Sequence, residues 1–565
     1  MPSLTPTDIA LLALIAGAIV ALALYAVISA SRNTRKLRRE LDAQFGQIPA
    51  ATYQQETVPR YWERRRKYEQ PEALVDDRTW DDLDMDKIFA RINSSLTSVG
   101  DNYLYATLRE PRVDEQRTKG REALMAFLAD NPAARLELQV FLSKMGRDDY
   151  SGLHLFNYES APELARHPAL LTILAALPVA LCALFFVNPT LALMCVTSSL
   201  VLNGVIHYRA SQKQELFLNA VAYFNSMLWS TRRALELLRG EAVPPEVREG
   251  FIVSELHESS TAFEPVRSAV SGALRKTRMY SEADYAIEFV RIIFLTQIRN
   301  YNRTVRFLAE NKAAFRAIYR GFGELELALS VLSLRMSLPY HSLPEFTDEP
   351  VVRTSGIYHL LLDEAVPNSI ALTRNSLISG SNASGKSTFI KALAINGILA
   401  QTINTCTATS FQLRPALVVT SMAARDNILA GESYFIAEIR SLKRLLEQAQ
   451  QRPCLCFVDE ILKGTNTIER IAASASILRG FNALDSLCLV ATHDIELTVL
   501  LADTFDNYHF EEQVTDEGVS FDYSLRNGPS RTRNAIKLLA TMGFNEDMVQ
   551  GAETLVEDYE HTGHW

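Results

Sequence analysis

Cysteine is scarce in this sequence: six in 565 residues, with no Cys-x-x-Cys pair. That excludes a disulfide-stapled secreted module and a thiolate zinc site. Cys454 and Cys456 stand two apart, the spacing of one strand face, and with Cys182, Cys195, Cys406 and Cys488 they read as free thiols. Positive charge is also short. Lys and Arg number 57 against 66 Asp and Glu, a formal net charge of −9. A general attraction to nucleic acid is excluded, and phosphate contacts are left to local patches. No internal repeat or low-complexity tract occurs. Glycine and proline are sparse from Gln212 to Arg335, where apolar residues recur every three to four positions. That stretch is expected to be a long helical hairpin or lever.

Hydrophobic residues make up 48% and charged residues 22%, which argues against wholesale disorder, and the length implies several cores. Three stretches carry no charge: Ile9 to Ala30, Ala169 to Val187, and Thr190 to Ile206, the last two divided by Asn188-Pro189. Each is close to the length that crosses a bilayer. The first reads as an anchor rather than a signal peptide, because its basic residues (Arg32, Arg35, Lys36, Arg38, Arg39) follow it. The other two read as a membrane hairpin, with a buried pair of core helices as the rival. Lys/Arg placement puts the N-terminus outside and residues 31–168 and 207–565 in the cytoplasm, as a multi-pass protein of the inner membrane. Between residues 31 and 67 there are ten Lys/Arg against four Asp/Glu. Anionic lipid is the expected counterpart; nucleic acid stacked on Tyr61 and Trp62 is the alternative. Residues 69–86 turn acidic and are expected to be a linker.

Residues 380–388 read Gly380-Ser381-Asn382-Ala383-Ser384-Gly385-Lys386-Ser387-Thr388, a complete G-x-x-x-x-G-K-[ST] phosphate loop. A short strand (375–379) precedes it and a helix follows, as backbone cradling of phosphate requires. Lys386 is placed to reach the β- and γ-phosphates and Ser387 to ligate Mg²⁺. The apolar strand Cys454 to Val458 ends in Asp459-Glu460, which would hold Mg²⁺ and orient the attacking water respectively. A second apolar strand, Ser486 to Thr492, ends at His493, a candidate sensor of the γ-phosphate. ATP and Mg²⁺ are the cofactors this set implies, and Mg-dependent ATP hydrolysis the reaction.

These motifs, with Val458 to Thr467 and Ala491 to Thr498, resemble the ATPase domain of the MutS mismatch-repair family. Gly431-Glu432-Ser433-Tyr434-Phe435-Ile436-Ala437-Glu438 is similar to that family's signature segment, which implies that Ser433 completes the nucleotide site of a partner subunit in a homodimer. Gly356 to His359, Val366 to Asn368, Phe521 to Tyr523, and Gly528 to Ala552 resemble segments around the same domain. Leu83 to Pro111 is similar to the start of the family's core domain, and Glu324 to Arg335 to the end of its lever. Ala383 and Ser384 replace the family's usual Met-Gly. The N-terminal mismatch reader with its Phe-x-Glu wedge is not seen before residue 80, so mismatch recognition is not implied.

The expected fold is an α/β P-loop (ABC-type) ATPase domain plus an all-α core/lever region, with three transmembrane helices. The expected divisions are an anchor at 1–31, a basic then acidic linker at 32–82, a helical core at 83–166, the membrane hairpin at 167–207, core and lever at 208–345, the ATPase at 346–555 and a tail at 556–565. The functional expectation is a membrane-anchored MutS-type ATPase that binds DNA. An ATP-switched scaffold clamping a protein partner at the membrane is the alternative. An ABC-type transporter fits less well, with few spans and no Leu-Ser-Gly-Gly-Gln.

Overall fold

The computed structural model describes residues 29, 31–50, 56–148, 152–163, 168–213, 215–267, 292–381, 384–422, 434–515, 518–530, 536, 539 and 543–562. The chain divides into two compact units. One comprises residues up to Glu69 with Asn93–Leu104 and Lys119–Met336; the other comprises Gln70–Ile92, Tyr105–Thr118 and Ser337 onward.

Among its described residues the first unit is helical. Its centre is the helix Lys312–Ser337, in which every residue from Gly321 to Leu334 is buried. A run buried on all sides must be covered by neighbours all round. Helices Glu215–Leu238 and Thr296–Glu310 belong to the same unit, with Phe224, Phe315 and Phe322 at 0% exposure. Glycine permits one very close approach: a Cβ on Gly323 would stand 2.3 Å from Tyr103 Cγ. Two acids lie in this core and both have partners. Glu324 accepts from Tyr103 Oη at 2.8 Å and Arg121 Nε at 3.1 Å. Glu326 accepts from the Leu96 amide at 2.8 Å. Asp101, nearby, accepts from Asn93 Nδ2 and Arg147 Nε at 2.7 Å each.

The charge-free pair forms the expected hairpin. Pro168–Leu181 continues as a tight turn of helix, Cys182–Phe186, and Pro189–Lys213 returns. Asn188 Oδ1 accepts from the Leu191 amide at 3.1 Å, which caps the returning helix at its first turn. Asn203 Nδ2 donates to Leu174 O at 3.0 Å and ties the two arms together. Ala169–Phe186 and Pro189–Ala210 are long and apolar enough to cross a membrane, with only 17% of each window buried. Among the described residues there are two such helices rather than the three expected, because the first expected span, Ile9 to Ala30, lies outside those residues except for Ser29.

The basic segment departs from the nucleic-acid alternative, which needs Tyr61 and Trp62 open for stacking. Pro59–Glu69 is a helix that buries Tyr61 and Trp62, and Tyr61 packs on Tyr319 with centroids 5.0 Å apart. These rings are core residues and not an open stacking platform, because burying an aromatic body outweighs leaving it in water. Arg64 pairs with Glu159 at 3.1 Å.

The second unit is α/β. In chain order its strands are β1 Pro344–Phe346, β2 Val352–Ile357, β3 Asn368–Leu372, β4 Ser376–Ser379, β5 Ser410–Leu413, β6 Leu417–Ser421, β7 Cys454–Asp459, β8 Ser486–Thr492, β9 Asp506–Thr515 and β10 Gly518–Asn527. A four-stranded sheet runs β1-β5-β2-β3, and a six-stranded sheet runs β10-β9-β4-β8-β7-β6. From β9 to β6 the larger sheet is parallel, and β10 adds antiparallel at its edge. Every residue of β6 and β8 is buried, as both faces of a parallel sheet require. Cys454, Cys456 and Cys488 are free and buried in this core, and Cys182 is exposed on the hairpin.

The acidic stretch is not a plain linker. Asp77–Asp82 forms a helix capped by Asp76, whose Oδ1 accepts from the Thr79 amide at 2.7 Å. Trp80 and Leu83 are buried at 1% and 0% exposure. Its acids and hydroxyls then satisfy the free edge of β6. The Met422 amide donates to Asp82 Oδ2 at 3.0 Å, Thr420 Oγ1 donates to the same oxygen at 2.8 Å, and the Thr420 amide donates to Thr79 Oγ1 at 3.3 Å. Arg444 bridges Asp76 and the Thr420 carbonyl. Asp84 holds Lys391 of the phosphate-loop helix at 2.8 Å.

Candidate active site

Three strand ends converge at the C-terminal edge of the six-stranded sheet. Register pairs Ser379 of β4 with Thr492 of β8, and Ala491 of β8 with Asp459 of β7. The phosphate loop, Glu460 and His493 therefore leave the sheet side by side, at the edge where ligands bind in open α/β sheets. The loop enters the helix Lys386–Ile403.

Two glycines make this turn possible. Gly380 has φ +142°, and a Cβ there would stand 2.6 Å from the Phe510 carbonyl oxygen. Gly385 has φ +103°, and a Cβ there would stand 3.1 Å from Tyr523 Cδ1. Lys386, only 4% exposed, folds over its own loop and donates to the carbonyl oxygens of Gly380 and Ser381 at 2.6 Å each. Burial pushes its ammonium down to about 8, against the opposing pull of Asp459 and Glu512. Ser387 and Thr388 are exposed on the first helical turn.

Glu460 adopts a left-handed backbone, φ +57°, and so does Leu462, φ +57°. Such backbone in residues other than glycine concentrates at functional sites. The Glu460 amide donates to Ala491 O at 3.0 Å, and its carboxylate pairs with Lys463. His493 Nδ1 lies 3.9 Å from Glu460 Oε1. Burial lowers the His493 pKa, partly countered by Asp494. Asp494 is in turn gripped by Arg470 through two bonds of 3.0 and 2.7 Å.

The structure thus gathers Lys386, Ser387, Asp459, Glu460 and His493. Asn382, Ala383 and Ser433 lie outside the described residues. Three buried polar atoms here have no hydrogen-bond partner: Asp459 Oδ1, Ser381 Oγ and Ser384 Oγ. A buried carboxylate oxygen is costly to leave unmatched, so its position beside a loop of backbone donors suits a divalent cation with phosphate. The donor set is all oxygen (Asp459 and the Ser387 hydroxyl), which is the chemistry Mg²⁺ takes.

A cavity of about 470 Å³ opens beside the loop, lined among others by His359, Val366, Ser387, Phe389, Glu460 and Tyr523. Tyr523 is held for this place. Its backbone is left-handed at φ +51°, its carbonyl accepts from Asn368 Nδ2 at 2.9 Å, and its ring stacks on Phe521 at 5.8 Å and 24°. The same Asn368 accepts from the Leu525 amide at 2.7 Å. The resemblance marks Phe521 to Tyr523 without giving Tyr523 a role; it reaches the loop from β10, about 135 residues downstream of it.

Residues 376–560 match the family described as MutS domain V. Among curated proteins, a DNA mismatch repair protein msh3 of Aspergillus fumigatus is 33% identical over 240 residues, which cover 39% of this chain and 21% of that protein. A DNA mismatch repair protein MutS of Streptococcus uberis is 27% identical over 231 residues, covering 38% of this chain and 27% of that protein. The MutS of Aquifex pyrophilus is 30% identical over 203 residues, covering 34% of this chain and 24% of that protein. The chain thus spans roughly a fifth to a quarter of the length of the curated relatives it matches.

Proposed function

We propose that this chain, whose residues 376–560 match MutS domain V, is a MutS-type ATP-hydrolysing switch that is held at a membrane and acts on DNA. The observation that carries the ATPase reading is the convergence at one sheet edge of the phosphate loop, the unmatched Asp459 oxygen, Glu460 and His493.

In this reading loop amides and Lys386 bind the phosphates, and the Tyr523 ring offers a face to the base. Asp459 and Ser387 hold Mg²⁺, which when bound neutralises charge on the phosphate oxygens. Glu460 orients the attacking water, and His493 beside it senses the γ-phosphate. Arg470 and Asp494 fix the backbone that carries His493. Ser433 completes the site of a second copy, which makes the active form a homodimer with two composite sites. DNA as the load rests on the relatives' names. Membrane attachment rests on the hairpin, where Phe186 is 95% and Val187 83% exposed. On this reading the ATPase faces the cytoplasm and the protein resides in the inner membrane.

A second reading, a nucleotide-switched scaffold gripping a protein partner, gains from one observation: Tyr61 and Trp62 are buried and unavailable to stack bases. One experiment separates the two. The detergent-solubilised chain and Lys386→Ala are assayed for ATP hydrolysis with and without homoduplex, mismatched and branched DNA. The expected result is hydrolysis lost in Lys386→Ala and altered by DNA in the native chain. Hydrolysis surviving in Lys386→Ala overturns the site; absence of any DNA effect or binding at low salt favours the scaffold. Recovery of the chain in the soluble fraction without detergent overturns membrane attachment.

A further inference from the structure

The loop after Glu460 is strained, and something must hold it. Glu460 and Leu462 both have φ +57°, a conformation that persists only where neighbours over-determine it. Part of the restraint is apolar: Ile461 and Leu462 are each 2% exposed within the sheet's core cluster. The polar part comes from another element. Glu438, 7% exposed on the helix Tyr434–Gln451, accepts from the Lys463 amide through Oε1 at 3.2 Å. The amides of Leu462 and Gly464 face the same carboxylate at longer range and favour its charged form, against the burial that raises its pKa.

The carboxylate therefore bonds one backbone donor, the Lys463 amide, and attracts the amides on either side of it, which restrains the turn at three successive residues. Contact is close enough to need glycine: a Cβ on Gly464 would stand 3.1 Å from Phe435 Cβ. The helix that supplies Phe435 and Glu438 begins at Tyr434, one residue after Ser433.

The geometry points to Glu438 as a positioning residue that pins the 462–464 backbone, aims Glu460, and ties it to the helix that follows Ser433. This rests on the ATPase reading above. Its consequence is coupling within one chain. The helix entered from the segment assigned to a partner's nucleotide is bonded to the loop carrying this chain's own water-orienting acid. A displacement of that helix on dimer closure reaches Glu460 through the Glu438–Lys463 contact, with no need for the two nucleotides to touch. Loss of a positioning contact alters turnover more than binding, because a misplacement of about 1 Å can cost about 10²-fold in rate.

The test uses the full chain as wild type, Glu438→Ala and Glu438→Gln. Three quantities are measured: kcat and KM for Mg·ATP, binding of a fluorescent ATP analogue, and amide hydrogen exchange across 461–466. Glu438→Ala is expected to lower kcat at least about tenfold, with KM and analogue affinity within about twofold of wild type. Exchange at Leu462–Gly464 is expected to speed up. Glu438→Gln, whose amide oxygen still accepts a backbone N–H, is expected to recover most of kcat. A folded Glu438→Ala with unchanged kcat overturns the proposal, as does a fall in kcat matched by an equal loss of analogue binding. If the wild type itself neither binds nor hydrolyses ATP, the ATPase reading fails, yet the exchange measurement still decides whether Glu438 pins the loop.

Discussion

Replacing Glu326 by glutamine should remove a pH dependence that this buried acid imposes on the helical unit. Glu326 is 0% exposed, and burial, helped by the Asp101 carboxylate, raises its pKa from 4.5 to about 7. Opposing effects come first from the Thr97 hydroxyl, then from the Leu96 amide, which donates to it, and from Arg147. The charged and titratable groups facing it are Asp101 on the helix Ser98–Arg109, Arg147 after the helix Pro132–Met145, and Tyr223 on the helix Glu215–Leu238. Below pH 4.5 the acid is protonated in folded and unfolded chains alike and costs nothing. Between 4.5 and about 7 the unfolded chain has released its proton while the folded chain retains it, so stability falls as pH rises. Above about pH 7 the cost is complete, at about 3 kcal/mol from 2.5 units at roughly 1.4 kcal/mol each. The glutamine side chain is uncharged at every pH, and its oxygen still accepts from the Leu96 amide. Because the chain has two units, a single global unfolding energy is ill defined. The measurement is therefore amide exchange protection in the helix Lys312–Ser337. Glu326→Gln should gain up to about 3 kcal/mol of protection at about pH 8 and less than about 1 kcal/mol at about pH 5. A wild-type-to-variant difference that is the same at both pH values refutes the reasoning.

Glu324→Ala should destabilise the same helix by about 3–5 kcal/mol, since it takes from Arg121 (6% side-chain exposure) its buried carboxylate. The double variant Arg121→Met/Glu324→Leu should restore most of that loss in the same exchange measurement. At the other unit, Tyr523→Ala should raise the KM for ATP about tenfold by removing a stacking face worth about 1–3 kcal/mol, with kcat little changed. Tyr523→Phe should behave as wild type in the same steady-state assay.

Much of the site was legible because its chemistry is local in sequence. The phosphate loop is nine consecutive residues. The strands before Glu460 and His493 are apolar runs whose observed limits, Cys454–Asp459 and Ser486–Thr492, follow the sequence pattern closely. Glycine positions within the loop follow from backbone approach alone. Two parts were hidden for the opposite reason. The resemblance marks the segment holding Tyr523 but not its place at the loop, which it reaches through sheet pairing, β10 on β9 and β9 on β4, a path no spacing rule encodes. Tyr61 and Trp62 sit in a segment so rich in arginine that it reads as a surface patch, for anionic lipid or for nucleic acid stacked on the two rings. The helix instead turns their rings inward and leaves the charges outside, a division that composition over a window does not reveal. The helical hairpin was legible as two charge-free runs, and the exposure of its apolar side chains is the structural counterpart of that pattern.

The acidic segment 76–84 bears on where this chain can be cut. It lies some 340 residues ahead of the strand edge it covers, yet it supplies the acceptor for the Met422 amide and the acid that neutralises Arg444. A fragment beginning at Ser337 would keep every nucleotide-binding motif and still present β6 as a bare edge, with an arginine beside it lacking its carboxylate. Bare edges recruit other strands, so such a fragment should associate through β6 in a way the longer chain, with that edge covered, does not. During synthesis the order is favourable: the covering segment leaves the ribosome before the strand it protects, and the sheet never waits for its border. The sequence boundary of the ATPase and its folding boundary are therefore different places.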